Sequence, residues 1–144
     1  MSPLTNNPFA AIATHPWAYP ALEVIHLAGV ALLLGNLVLV ELRHWRADAI
    51  AEPVDRLALG LVLTGFSLAA ASGLAMFASQ PLELIANRAF LLKMSLLMIA
   101  GINAAAFHAR GGLARRDGLA RAQTLASLGL WLVILACGRA IAYA

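Results

Sequence analysis

Charge is scarce in this chain. Only 12% of its 144 residues are Asp, Glu, Lys or Arg, and four stretches, 24–40, 57–82, 94–107 and 122–138, contain none. That scarcity, with 62% hydrophobic residues, lies outside the soluble globular range. Cysteine is nearly absent as well. The single Cys137 excludes an intramolecular disulfide and any zinc or iron–sulfur site built on cysteines. Residues 1–22 hold no Lys or Arg, so the basic n-region of a signal peptide is missing and the first apolar stretch is expected to stay as a resident helix. Histidine is missing from the second and fourth stretches. The chain has no nucleophile–base pair, phosphate-binding loop or metalloprotease motif, so no independent enzymatic activity is expected.

What the chain has in quantity is apolar length. A helix needs about 20 apolar residues to cross about 30 Å of hydrocarbon. All four stretches reach that length with their flanks, the third only by starting near Ala89 and taking Lys93 inside. An all-α fold follows: four transmembrane helices over about 20–42, 57–80, 89–109 and 121–143, forming one integral membrane domain over 1–144. Short connections make successive helices antiparallel neighbours, hence an up-down bundle, with Pro81 and Gly111-Gly112 punctuating two turns.

The net charge of +3 and the pI of 9.8 do not signal nucleic-acid binding, because the basic residues sit in short loops beside the membrane. Seven of the ten Lys and Arg residues share one side: Arg43, Arg46 and Arg56 in the first loop, and Arg110, Arg115, Arg116 and Arg121 in the third. That side is predicted to be cytoplasmic, which places both termini in the periplasm and the protein in a bacterial inner membrane as a multi-pass chain in contact with the lipid bilayer. Before the first span, Pro3, Pro8, Pro16, Trp17 and Tyr19 read either as an interfacial aromatic anchor or as a segment folded over the bundle mouth that carries His15 toward it.

Several polar residues fall at matching depths. At about 1.5 Å per residue, His26 lies roughly 9 Å below the periplasmic edge with Glu23 one turn above it, and Lys93 and Arg139 each lie roughly 6 Å deep. Met76 closes this layer from the second span. Ionisable groups within a membrane usually face the bundle interior and mark function, although Lys and Arg also snorkel to the interface. Glu23, His26, Gly29, Leu33 and Asn36 form one helical stripe. Gly29, below His26, either frees space for a planar ligand or permits close helix packing. A second layer, Asn36, Thr64, Asn103 and Ser127, lies roughly 21–24 Å deep and reads as interhelical hydrogen bonding. His44 and His108 mark the cytoplasmic boundary.

Three functions suit the outer layer. One is a haem-b-binding or quinone-linked electron-transfer subunit, in which His26 ligates iron, His15 or Met76 completes the set, and Lys93 and Arg139 pair with propionates. It implies a periplasmic cytochrome or another membrane subunit as partner and leaves oligomer formation open. Another is copper binding or transport through His26 and His15 with Met76 or Met94. The third is a non-catalytic structural or assembly subunit.

Several motifs carry a resemblance. Tyr19-Pro20 with Glu23 and His26, then Glu41-Leu42-Arg43, Thr64-Gly65-Phe66, Phe90 with Lys93, Ala100-Gly101-Ile102-Asn103-Ala104 with Phe107-His108, and Gly138-Arg139-Ala140-Ile141-Ala142-Tyr143 span all four stretches. Together they resemble a bacterial four-helix integral membrane protein family of unknown function. They are distantly similar to copper-resistance D-type membrane proteins and to four-helix b-type cytochromes. The close resemblance implies a fold and topology but no activity; the distant ones imply the copper and haem options. The absence of histidine from the second and fourth spans departs from a bis-His cytochrome.

Overall fold

The computed structural model describes residues 7–46, 52–112, 114–115 and 117–143. Pro3, Arg116 and the C-terminal Ala144 lie outside the described residues. Six helices and no strand occur among those described: α1 (Ala10–Thr14), α2 (Ala18–Arg46), α3 (Glu52–Ser79), α4 (Pro81–Ala86), α5 (Arg88–Ala109) and α6 (Gly118–Ile141). Four of them, α2, α3, α5 and α6, are long and apolar enough to cross a membrane. They correspond to the four expected spans, with α2 running four residues further at its C-terminal end than expected. The two short helices α1 and α4 were not expected. Pro81, read as a turn, occupies the first turn of α4, where its missing N–H costs no hydrogen bond.

The bundle is built from two antiparallel hairpins, α2–α3 and α5–α6, each packed far more closely within itself than against the other. The first hairpin rests on small residues. Ala58, Gly65, Ser72 and Ser79 recur every seven residues along α3 and are all buried, so one smooth face points at α2. At the crossing the two backbones touch. A Cβ added to Gly29 would lie 2.7 Å from Ala69 N and 2.8 Å from Gly65 O, and one added to Gly65 would lie 2.6 Å from Gly29 O. Leu33, one turn beyond Gly29, is only 2% exposed. At the end of the hairpin that carries its loop, Arg43 Nε donates to Asp55 Oδ1 at 2.9 Å.

Caps set the second hairpin. The Asn87 side chain accepts from Ala89 N and Phe90 N to start α5, while its Nδ2 donates to Ile141 O at the end of α6. Asp117 caps α6 by accepting from Ala120 N at 2.8 Å and pairs with Arg110 at 3.1 Å. The Ala120 N–H holds the Asp117 carboxyl below its usual range, with Arg110 reinforcing the shift. Between the hairpins, Phe77 of α3 stacks on Phe90 of α5 at 5.6 Å, and Trp45 of α2 donates to Thr124 of α6 at 3.4 Å with Arg121 over its ring. Many long apolar side chains, among them Leu27, Leu63, Leu74, Met98 and Ile102, face outward, as lipid contact requires.

The contact at Gly65 yields a direct test. Gly65→Ile should lower thermal stability in detergent by about 1–3 kcal/mol or prevent assembly, because a branched side chain cannot enter a backbone contact. Gly60, with nothing within 4 Å of its Cβ position, should accept alanine with a gain of roughly 0.5–1 kcal/mol. Equal unfolding temperatures for the two variants would refute the packing assigned to this hairpin.

Candidate functional site

His26 is placed by the glycine crossing one turn below it. With α2 and α3 in backbone contact, its imidazole is pressed against α3. Nδ1 lies 2.8 Å from Ala69 O and 3.2 Å from Ser72 Oγ. Ser72 Oγ already donates to Leu68 O at 2.6 Å. A backbone carbonyl only accepts, so Nδ1 carries the proton, and in the neutral ring the Nε2 lone pair is left for another partner. Gly73 makes the slot for the ring: a Cβ there would lie 3.3 Å from His26 Cε1. The ring is half-buried.

Lys93 belongs to the other hairpin, on α5. Its half-buried ammonium lies over Gly138, where a Cβ would sit 3.5 Å from Nζ, beside the buried Cys137. Among the described residues Lys93 makes no ion pair. An unpaired cation in this setting favours an oxygen-bearing partner.

The other residues of the expected layer are not gathered there. Glu23 is exposed. Arg139 is exposed and snorkels: its Nη2 donates to Tyr143 Oη at 2.8 Å, with the guanidinium 5.1 Å from that ring. The segment before α2 does fold onto the bundle, with α1 against α2 and α3 and Asn7 Nδ2 donating to Ala78 O at 2.8 Å. Its histidine takes no part in the mouth. His15 is exposed and its Nδ1 accepts from Trp17 N and Ala18 N, both at 3.3 Å, at the start of α2. Trp17, 77% exposed, is free to serve as the interfacial anchor. Met76 is half-buried on α3, one turn outward from Gly73.

Gly29 requires a correction. The space below His26 is filled by the α3 backbone, so Gly29 serves packing and leaves no slot for a planar ligand. The inner layer is also corrected. Asn36 donates to Leu32 O and Thr64 to Gly60 O, both within their own helices. Only Asn103 bonds between helices, to Gln123 O at 3.0 Å, while Ser127 lines a cavity. Sequence reasoning missed Ala69, Ser72, Gly73 and Gly138. The first three fall on α3 at the level of His26, and for Ser72 the seven-residue spacing of small residues was the available signal.

These placements bear on the expected cofactors. A haem slot between α2 and α3 is closed at Gly29, and neither Arg139 nor His15 is turned to serve it. Among the described residues no group of three or more His, Cys, Asp or Glu is placed to hold a metal ion, and His15 of the expected copper set is engaged at the start of α2. What His26 and Lys93 offer is one acceptor nitrogen and one ammonium donor. Compared with protein-family models, curated proteins and solved structures, the chain matches none. The resemblances drawn from its motifs rest on those residues alone.

Proposed function

We propose that the chain is a quinol-binding subunit of electron transfer in a bacterial inner membrane, with the headgroup held between the hairpins by His26 and Lys93 and both termini in the periplasm. The observation that carries the reading is the Nδ1–H of His26 bonded to Ala69 O, which leaves Nε2 as an acceptor facing a quinol hydroxyl. Lys93 donates to a headgroup oxygen and offsets negative charge that develops as a proton leaves. A bound quinol supplies two electrons and two protons. His26 Nε2 takes the first proton, the second leaves to water at the near end of the bundle, and both electrons pass to a partner of the cytochrome or membrane-subunit class. The outward apolar faces beside the site suit an isoprenoid tail. Orientation is supported by the arginines: Arg43, Arg46, Arg56, Arg110, Arg115 and Arg121 all belong to the end opposite His26.

A second reading draws on the same hydrogen bond. An imidazole whose Nδ1–H is tied to a carbonyl is also the usual form of a metal ligand, which keeps haem b or copper on Nε2 as the competing reading. Titration of a short-chain quinol into nanodisc-embedded protein separates the readings. Binding should weaken about tenfold or more in His26→Ala and in Lys93→Ala, the scale of a lost hydrogen bond to a charged group, with helicity unchanged. No binding by the wild type, or wild-type affinity in both variants, would refute the quinol reading. A Soret band or stoichiometric copper lost in His26→Ala would move the site to haem or copper.

Topology is tested separately. Single cysteines near Asn7 and Tyr143, in a Cys137→Ser background, should react with a membrane-impermeant reagent in intact cells. Protection of both would reverse the orientation.

A further inference from the structure

At the opposite end from His26, a cavity of about 70 Å³ lies between the hairpins. Its polar lining comes from three helices: Glu41 and His44 of α2, Asn103 and His108 of α5, and Gln123, Thr124 and Ser127 of α6. Organic ligands occupy cavities of several hundred Å³, whereas this one has room for a few waters. Glu41 is 5% exposed, and its Oε1 has no hydrogen-bond partner among the described residues.

The charged groups around it are engaged elsewhere. On α2 and α3, Arg43 is taken by Asp55; on α5, Arg110 is taken by Asp117 and Gln123 Oε1; on α6, Arg121 lies over Trp45. Leu59 is the α3 residue on the cavity wall. Among the described residues, the other titratable groups on the cavity wall are two imidazoles. His44 is buried edge-on to Phe107 at 6.1 Å, and His108 sits against the other side of that ring at 5.5 Å, exposed in the last turn of α5. A carboxylate buried without a countercharge is among the costliest groups in a membrane protein, and proton uptake removes the charge.

We propose that this cavity is a hydrated proton-binding site, with Glu41 as the group that holds the proton and His108 as its exchange route to the water at this end of the bundle. The step balances simply: a proton arrives from water through the imidazole, and the Glu41 carboxylate becomes a carboxylic acid. The site goes beyond the quinol reading and does not depend on it.

The test is infrared difference spectroscopy on the full chain in liposomes, between acidic and alkaline buffer, in H2O and in D2O. A carboxylic C=O band should appear on acidification, shift in D2O and be lost in Glu41→Gln. In Glu41→Asp the band should persist at a shifted frequency, which separates loss of the group from loss of the fold. His108→Ala should slow the deuterium shift of the band while leaving the band itself. A band unchanged in Glu41→Gln, or one insensitive to D2O, overturns the proposal, as does a stoichiometric metal ion released by Glu41→Gln. An unchanged exchange rate in His108→Ala overturns the route.

Discussion

Gly29 and Gly65 let α2 and α3 meet backbone to backbone, and the rest of the first hairpin is arranged around that contact. It brings α3 near enough for the carbonyl of Ala69 to accept from His26, and Gly73 leaves the ring its place. Without the crossing, His26 would be one more polar residue on a lipid-facing helix, free to turn toward the interface. With it, the imidazole has a fixed proton and a fixed vacant nitrogen. In hydrocarbon no water competes for these hydrogen bonds, so helix packing alone decides which nitrogen is exposed.

The second hairpin is held differently. Its close approach is at the ends, where Asn87 and Asp117 cap helices and Asn103 bonds across to Gln123. Lys93 reaches its position because Gly138 offers no side chain. The two hairpins touch chiefly through Phe77–Phe90 at one end and Trp45–Thr124 at the other. The proposed headgroup site and the Glu41 cavity therefore both lie on the seam between units that are individually well packed. Such a seam can admit a ligand or water without breaking either hairpin, a more economical arrangement than opening a helix pair.

Length and hydropathy made the four spans legible, since a continuous apolar run of about 20 residues crosses as a helix, which satisfies its own backbone hydrogen bonds. The inward stripe was legible from His26 through Gly29 and Leu33 to Asn36. It failed at Glu23, which lies near enough to the interface to stay exposed. Depth counting placed Lys93 and Arg139 at one level but could not say which way they turn. Gly138 admits Lys93 inward, whereas Tyr143, four residues after Arg139, draws the guanidinium outward. Asn36 and Thr64 looked like interhelical glue because a side-chain amide or hydroxyl in a membrane must find a partner. Their own helices supplied one, through the carbonyl four residues earlier. The small residues of α3 were there to be read: Ala58, Gly65, Ser72 and Ser79 mark the packed face without any polar signal. Glu41 showed only as part of a motif, because its burial depends on where α5 and α6 close over α2.

The proposed headgroup site depends on the state of the His26 ring. Nitrogen NMR on ¹⁵N-histidine-labelled protein in lipid bilayers, assigned by His26→Ala, reads that state directly at neutral pH. The structure predicts a protonated Nδ1 and a bare Nε2 at His26, with this arrangement lost in Gly65→Ile. A proton found on Nε2, with Nδ1 bare, would contradict it.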